Sequence, residues 1–210
     1  MNLIFFGAPG AGKGTIANII GKRLGIPHIS TGNVFRKIKG EDSQIGRQVK
    51  ELIDKGNFVP DDITIEIVKK RLTETDCKQG FILDGFPRTL KQAEFLDKIT
   101  KIDLVINFYV DEDFLIRRLL ARRSCPNCKK EYNLITSMKP KNNNELCDVC
   151  SVKLAKRADD NEQTIQGRQE TYKKETAPLI KYYEEKGILK SVLNVATPEE
   201  VANDTIKVLK

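Results

Sequence analysis

The sequence predicts a three-layer α/β fold, in which helices cover both faces of a five-stranded parallel sheet. Short apolar runs alternate along the chain with segments whose apolar residues recur at helical spacing. The first run ends at a glycine-rich loop, and a helical pattern follows that loop at once. The length of 210 residues suits one such domain with one or two small insertions.

Five short apolar runs are the predicted strands, and turn residues or helical patterns separate each from the next. They lie at residues 2–6, 27–29, 81–83, 104–110 and 188–195. Helices are predicted at residues 15–24, 91–99, 113–120 and 162–186. We expect the last helix to bend near Pro178, because proline cannot donate the backbone hydrogen bond that a helix interior requires.

Two polar segments interrupt the alternation of strands and helices. Residues 30–59, the helical segment, have a helical pattern with turn signals at Gly40 and Gly56. Residues 122–160, the cysteine segment, contain four cysteines and little helical periodicity. We expect both segments to be insertions carried by one core domain. That core comprises residues 1–29, 60–121 and 161–210.

Composition and charge limit the classes of function. With 40% hydrophobic and 31% charged residues, the chain is neither disordered nor collagen-like. No apolar run approaches the roughly 20 residues that a membrane span needs, and the first residues do not resemble a signal peptide, so we expect a cytoplasmic protein. The formal net charge of +7 favours binding to a nucleic acid, a membrane surface or a small polyanionic substrate.

Residues 7–15, with the sequence GAPGAGKGT, have the composition of a phosphate-binding loop. Glycines let the backbone turn tightly around a phosphate, and the following helix adds the positive end of its dipole. Lys13 supplies a mobile full charge for the outer phosphates. Such loops usually have Ser or Thr directly after the lysine, whereas here Gly14 precedes Thr15. The order of strand, glycines, lysine and helix favours a phosphate site over a turn that binds nothing.

Two Cys-x-x-Cys pairs, separated by 18 residues, predict a metal site in the cysteine segment. The four cysteines are Cys125, Cys128, Cys147 and Cys150. Each pair directs two thiolates at one centre, and four thiolates complete the tetrahedral sphere of a structural Zn²⁺. Two local disulfides, or cysteines that bind no metal, are the alternatives.

Several arginines occupy positions that suit an anionic ligand. Asp84 and Arg88 follow a predicted strand, and ligands of open parallel sheets bind at the carboxyl ends of the strands. Asp84 can hold a metal-bound water, and Arg88 can bind a phosphate through two hydrogen bonds. Other arginines flank the cysteine segment, where they can close over a triphosphate. They are Arg118, Arg122, Arg123, Arg157 and Arg168.

Taken together, the loop at 7–15, the motif TGNVFR at 31–36, the motif DGFPRT at 84–89 and the four cysteines resemble the adenylate kinase family. The resemblance covers essentially the whole chain and is to the bacterial form with a long, zinc-bearing lid. It implies a P-loop fold, a helical insertion that binds the nucleoside monophosphate, and a monomer. The implied reaction transfers the γ-phosphoryl group of ATP, bound with Mg²⁺, to AMP and yields two ADP, without a nucleic-acid or membrane partner.

The resemblance also implies roles for individual residues. The ATP-binding residues would be Gly10, Ala11, Gly12, Lys13, Gly14, Thr15, Arg118, Arg122, Glu131, Tyr132 and Thr197. The AMP-binding residues would be Thr31, Arg36, Asn57, Phe58, Val59, Gly85, Phe86, Pro87, Arg88, Gln92, Arg157 and Arg168. The residues that carry catalysis would be Lys13, Asp84, Arg88, Arg122, Arg157, Asp159 and Arg168. Asn33 departs from the family, because many relatives have aspartate at that position.

Two other functions remain open at this stage. A related kinase would take GTP as donor or a different monophosphate as acceptor, although Thr31 and Gln92 suit an adenine edge. A nucleic-acid-binding protein would use the basic charge and the cysteine pairs, but Tyr132 is the one aromatic residue of the cysteine segment available for base stacking. The single histidine, His28, is interpreted as a packed or surface residue.

Overall fold

The computed structural model describes residues 1–40, 42–141 and 144–209. Its strands are β1 (Asn2–Phe6), β2 (His28–Ser30), β3 (Phe81–Asp84), β4 (Leu104–Tyr109), β5 (Arg122–Ser124), β6 (Glu131–Asn133) and β7 (Leu189–Leu193). Within the described residues, five of these strands form one parallel sheet in the order β2-β3-β1-β4-β7. The predicted five-stranded parallel sheet is therefore confirmed.

Helices occupy most of the chain between the strands. They are α1 (Lys13–Leu24), α2 (Thr31–Lys39), α3 (Gln44–Asp54), α4 (Asp61–Leu72), α5 (Leu90–Ile99), α6 (Glu112–Leu120), α7 (Glu162–Thr171), α8 (Pro178–Glu185) and α9 (Pro198–Val208). A short 3-10 helix covers Thr75–Gln79. Over the described ranges, no helix combines the length and the apolar character that crossing a bilayer requires.

Apolar side chains cover both faces of the sheet, as a three-layer fold requires. Leu3 and Phe5 of β1 point into a cluster that includes residues of α1 and α9. The alternate residues Ile4 and Phe6 point into a second cluster, which includes residues of α5 and α8. Because successive side chains of a strand face opposite sides, a strand that is apolar at every position lies between two helical layers.

The long helix predicted at 162–186 is interrupted where the sequence indicates. Helix α7 ends at Thr171, a π-helical turn occupies Tyr172–Thr176, and α8 starts at Pro178. Proline is tolerated at the first helical position because its missing N–H would have no partner in the helix there. The helix is therefore interrupted next to Pro178, the position at which the sequence predicts a bend.

The helical and cysteine segments differ in secondary structure. The helical segment contains α2 and α3, followed by an extended stretch that leads into α4. In the cysteine segment, β5 and β6 form an antiparallel pair, and a bridge between Ser124 and Ala155 connects its beginning to its end. Both segments lie beside the carboxyl ends of the parallel strands, where the cavity described next opens.

Candidate active site

A cavity of about 1310 Å³ lies at the carboxyl ends of β1 and β3. The phosphate-binding loop and the end of β3 form its floor, and both the helical and the cysteine segments contribute side chains to its walls. The Thr15 hydroxyl lies 4.0 Å from Sδ of Met138, so the cysteine segment reaches the loop across the cavity. The helical segment in turn contacts α7, because the Thr164 hydroxyl donates to the carbonyl of Asp54 at the end of α3 (2.9 Å).

The phosphate-binding loop is held from behind by Asn194, which directly follows β7. Gly12 has φ of 80°, and a Cβ there would lie 2.7 Å from Nδ2 of Asn194, so this position requires glycine. Nδ2 of Asn194 donates to the carbonyl of Ala11 (2.6 Å), and the backbone carbonyl of Asn194 accepts from Nη1 of Arg118 (3.1 Å). This buried asparagine therefore links the loop to a predicted ATP-binding arginine, a role that the sequence analysis missed.

Lys13 extends back over the loop. Its Nζ donates to the carbonyls of Gly7 (2.7 Å) and Ala8 (3.1 Å). Burial lowers the pKa of Lys13 to about 8; the charge of Asp84 opposes this effect, and the charges of Arg88 and Arg122 add to it. A cation whose charge is disfavoured by burial and by neighbouring cations gains most when an anion arrives, which is the electrostatic requirement of a phosphate site.

Gly14, the departure from the usual loop pattern, lies against Asp84 at the end of β3. A Cβ at this position would be 3.2 Å from Oδ2 of Asp84, so a serine or threonine would crowd the carboxylate. Oδ2 also lies 3.2 Å from Nε2 of His28, whose Nδ1 is 2.9 Å from Asn18. Burial alone would raise the pKa of Asp84, but the hydrogen bond from His28 and the charge of Lys13 hold it below its ordinary value. Asp84 is therefore an anionic group facing the cavity.

Arg88 is fixed from several directions. Its Nε donates to the carbonyl of Gly85 (2.8 Å), and its guanidinium lies 4.9 Å from the ring centroid of Phe58 in the helical segment. The Thr176 hydroxyl, in the π-helical turn, donates to the backbone carbonyl of Arg88 (2.9 Å). Burial lowers the pKa of Arg88, the nearby charge of Arg168 adds to this effect, and Asp84 opposes it.

The arginines around the cysteine segment are paired with carboxylates. Nε and Nη2 of Arg122 donate to the two oxygens of the fully buried Asp160 (2.8 and 2.5 Å). Burial alone would lower the pKa of Arg122, but Asp160 raises it. Arg168 pairs with Asp159, and Arg157 donates to Glu131 (2.6 Å). These ion pairs arrange the guanidinium groups at the cavity.

The structure also distinguishes Arg122 from its neighbour. Arg122 lines the cavity, whereas Arg123 donates to the carbonyls of Leu120 and Arg122 and lies 3.6 Å from Glu145. Of these two neighbouring arginines, Arg122 is the one whose side chain lines the cavity.

Arg36 of the helical segment has a neutral partner. Its Nη2 donates to the amide oxygen of Asn33 (2.5 Å), and both residues line the cavity. Burial and the facing charge of Arg157 lower the pKa of Arg36 to about 10.

Most of the predicted site residues line this one cavity, although they come from distant parts of the chain. Those that do so are Gly10, Gly12, Lys13, Gly14, Thr15, Arg36, Asn57, Phe58, Val59, Asp84, Gly85, Pro87, Arg88, Gln92, Arg118, Arg122, Glu131, Tyr132, Arg157 and Arg168. Ala11, Thr31 and Phe86 are buried beside it, and Asp159 lies behind Arg168. Thr197 caps the start of α9 away from the cavity. For these five residues, the structure shows no side-chain position on the cavity wall.

The four cysteines of the cysteine segment converge. Their sulfur atoms all lie within 4.8 Å of one another, and Sγ of Cys128 is 3.6 Å from Sγ of Cys147. Four sulfurs around a tetrahedral Zn²⁺ are about 3.8 Å apart, given a bond of about 2.3 Å, so the residues fit such an ion. Burial alone would raise the pKa of Cys147, but the Tyr132 hydroxyl and the backbone N–H of Cys150 lower it to about 6. Hydrogen bonds of this kind favour the thiolate, which is the form that binds a metal.

Comparisons with known proteins agree with this arrangement. Residues 5–188 match the family model described as adenylate kinase. An adenylate kinase of Thermotoga neapolitana is 47% identical over 99% of this chain and 96% of its own length. An adenylate kinase of Caldicellulosiruptor bescii is 47% identical over 100% of this chain and 98% of its own length. One of Bacillus pumilus is 50% identical over 91% of this chain and 90% of its own length.

Proposed function

Because the chain belongs to the adenylate kinase family and catalyses ATP + AMP = 2 ADP as a nucleoside monophosphate kinase, we propose how its residues divide that reaction. The observation that carries the proposal is the convergence of cationic side chains from every part of the chain on one cavity. They are Lys13, Arg36, Arg88, Arg118, Arg122, Arg157 and Arg168. Two polyanions repel each other, and this set of charges offsets that repulsion.

We assign the ATP phosphates to the loop from Gly10 to Thr15. Lys13 would exchange its carbonyl partners in the loop for phosphate oxygens, since among the described residues no carboxylate is hydrogen-bonded to it. Arg118 lies at the adenine end, where Asn194 holds it against the loop. We place Glu131 and Tyr132 beside the bound ATP. Ala11 and Thr197 would contribute backbone contacts only.

We assign the AMP phosphate to Arg36 and Arg88, and its base to the region of Gln92. Thr31 supports this pocket through Gly85, because its hydroxyl donates to that carbonyl (2.8 Å). The backbone of Asn57, Phe58 and Val59 and that of the segment from Gly85 to Pro87 would complete the walls.

The chemical step needs charge compensation and no general base, because the accepting AMP oxygen is already anionic. Arg122, Arg157 and Arg168 would bind the transferring group, with Asp159 and Asp160 orienting the guanidinium groups. Mg²⁺, bound with ATP, supplies positive charge to the phosphate oxygens, and Asp84 is the carboxylate placed to hold its water ligands.

We propose that the helical segment and the cysteine segment are mobile insertions on the core formed by 1–29, 60–121 and 161–210. Their closure would exclude water and so suppress hydrolysis of ATP. We also propose that the four cysteines hold a structural Zn²⁺. A single chain contributes all the cations named above, which supports a monomer, and its described cysteines form no disulfide, which supports a cytoplasmic location.

Replacing Arg88 tests this division of roles. Arg88→Ala should lower kcat by about a hundredfold or more, since one well-placed cationic donor contributes on the order of 3 kcal/mol to the transition state. The measurement is a coupled assay of ADP formation that requires ATP, AMP and Mg²⁺ together. Arg117→Ala, an exposed arginine of α6, is the matched control and should retain full activity. Near-normal turnover of folded Arg88→Ala, or equal ATP consumption without AMP, contradicts the proposal.

A further inference from the structure

The side-chain amide of Gln92 is held in one orientation by two partners of fixed character. Its Nε2 donates to Oδ1 of Asp61 (2.7 Å), and its Oε1 accepts the backbone N–H of Arg88 (2.7 Å). An ionised carboxylate only accepts hydrogen bonds, and a backbone N–H only donates. Rotation of the amide by 180° would therefore set an oxygen against an oxygen and a donor against a donor. Gln92 is 1% exposed, so water has little access to relieve either clash.

Asp61 is itself fixed at the start of α4. Its second oxygen, Oδ2, accepts the hydroxyl of Thr89 (2.9 Å). That hydroxyl in turn accepts the backbone N–H of Gln92 (3.3 Å), so its single hydrogen is committed to Asp61. A carboxylate at the first turn of a helix is also stabilised by the helix dipole. Asp61 therefore presents an acceptor to the amide of Gln92.

The two partners use only half of the hydrogen-bonding capacity of the amide. One hydrogen on Nε2 and one lone pair on Oε1 have no partner in these bonds, and Gln92 lines the cavity. An amide in this state pairs with adenine, whose 6-amino group donates to the oxygen while a ring nitrogen accepts from the nitrogen. Hypoxanthine and guanine carry an oxygen at position 6, which would face the lone pair of Oε1.

We propose that Asp61 is a specificity-determining positioning residue, which fixes the amide of Gln92 so that the monophosphate pocket takes a 6-aminopurine and rejects a 6-oxopurine. The inference rests on the proposed function, because it takes Gln92 to face the base of the acceptor nucleotide. Asp61 acts through Gln92 and touches no substrate itself.

The experiment compares AMP with IMP as acceptors, with ATP and Mg²⁺ constant. These two nucleotides differ only at position 6 and in the attached N1 proton, and the ratio of their kcat/KM values cancels any general damage to the enzyme. We expect a ratio of about 100 in the unmodified protein. In Asp61→Ala the ratio should fall about tenfold, because the amide loses its hydrogen bond to a charged partner. Its KM for IMP should fall while its KM for AMP rises.

Two further variants make the outcome unambiguous. Asp62→Ala, the next residue, removes an exposed carboxylate that pairs with Lys91 and should leave the ratio unchanged. Asp61→Asn keeps the size of the side chain and one acceptor oxygen, so it remains informative if Asp61→Ala fails to fold. Its ratio of kcat/KM values for AMP and IMP should lie between those of Asp61→Ala and Asp62→Ala. Folded Asp61 variants with the ratio of Asp62→Ala overturn the inference while the proposed function stands. An unmodified protein that uses IMP as well as AMP overturns it too, whereas absence of any AMP-dependent ADP formation contradicts the proposed function itself.

Discussion

The helical segment and the cysteine segment face the same cavity, yet they are built differently inside. The helical segment encloses a cluster of Phe35, Val49 and Val59, and further isoleucines of its own helices and of α4 pack against that cluster. In the cysteine segment the buried cluster consists of Tyr132 and Leu154 together with two cysteines. Apolar burial stabilises in proportion to the buried area, so the helical segment has an apolar cluster against α4 to stabilise it, and we expect the cysteine segment to rely more on its four sulfur atoms.

The charges that the two segments bring to the cavity also differ. Arg36 of the helical segment bonds a neutral amide, that of Asn33. Arg122 and Arg157, at the two ends of the cysteine segment, bond carboxylates. A guanidinium without an anionic partner attracts a phosphate more strongly, whereas a paired one is held in place before the substrate arrives. We therefore expect the helical segment to supply attraction for a phosphate and the cysteine segment to supply orientation.

Removing the metal should have the largest effect on stability, and it should affect the cysteine segment but not the helical segment. If Zn²⁺ holds the cysteine segment together, its binding supplies folding free energy, about 10 kcal/mol in peptides of this kind. Chelation, or Cys147→Ser, should expose the amides of residues 122–160 to hydrogen exchange and leave those of 30–59 protected. Activity should decrease in proportion to the loss of bound metal. Elemental analysis measures the metal content of each sample.

Cys77 offers the control for this experiment. It lies outside the cluster, beside Arg71, so Cys77→Ala removes a thiol without removing a ligand. This variant should keep the full metal content. Unchanged exchange across 122–160 after demonstrated metal loss would show that the cysteine segment has a sufficient core without the metal.

Val49→Ala should give the next largest effect, in the opposite segment. Val49 is 1% exposed within the apolar cluster, and the loss of two methyl groups destabilises the helical segment by about 2 kcal/mol. Hydrogen exchange of the α2 and α3 amides should accelerate accordingly, without any change in metal content. The exposed neighbour Lys50→Ala should leave exchange unaltered. Equal acceleration in both variants would argue against a separate apolar core in this segment.

The central strands β1, β3 and β4 could be predicted from sequence because they are largely buried on both faces. Each is a short, mostly apolar run, and runs of this kind at 2–6 and 104–110 are visible without knowledge of their neighbours. The edge strands β2 and β7 contain polar and exposed residues and have a weaker pattern. Helix α4 was not predicted, because Ile63, Ile65 and Ile67 alternate along the chain as in a strand. In the structure Ile65 packs on the core, while Ile63 and Ile67 pack on the helical segment. A helix between two apolar clusters has no single apolar stripe, so its periodicity is obscured.

Part of the candidate site, like part of the fold, could be predicted from sequence, and part could not. The loop around Lys13 and the four cysteines have local spacings that carry their own chemistry, so a sequence reveals them. Asn194 and Asp160 act through partners far along the chain, and nothing beside them indicates those partners. Asp61 pairs with Gln92 across two helices for the same reason. The roles assigned at the bound nucleotides remain predictions.

The smallest effect should come from Asn33→Asp, which would give Arg36 the kind of partner that the arginines of the cysteine segment already have. The new carboxylate should pair with Arg36 and stabilise the helical segment by about 0.5 to 1 kcal/mol. It should also raise the KM for AMP several-fold, because it competes with the phosphate for the same guanidinium. Asn33→Ala removes the amide without adding charge and should not raise this KM.

The stability that Asn33→Asp adds should depend on pH in a defined direction. Arg36 would lower the pKa of the introduced carboxyl group in the folded state below the roughly 3.9 of an unfolded chain. The added stability should therefore be complete above that value and disappear as the pH falls through the folded pKa, which denaturant unfolding at pH 7 and pH 3 measures. An increase in kcat with an unchanged KM for AMP would instead place this carboxylate in the magnesium water shell. The contrast between an attracting Arg36 and orienting arginines in the cysteine segment would then have to be abandoned.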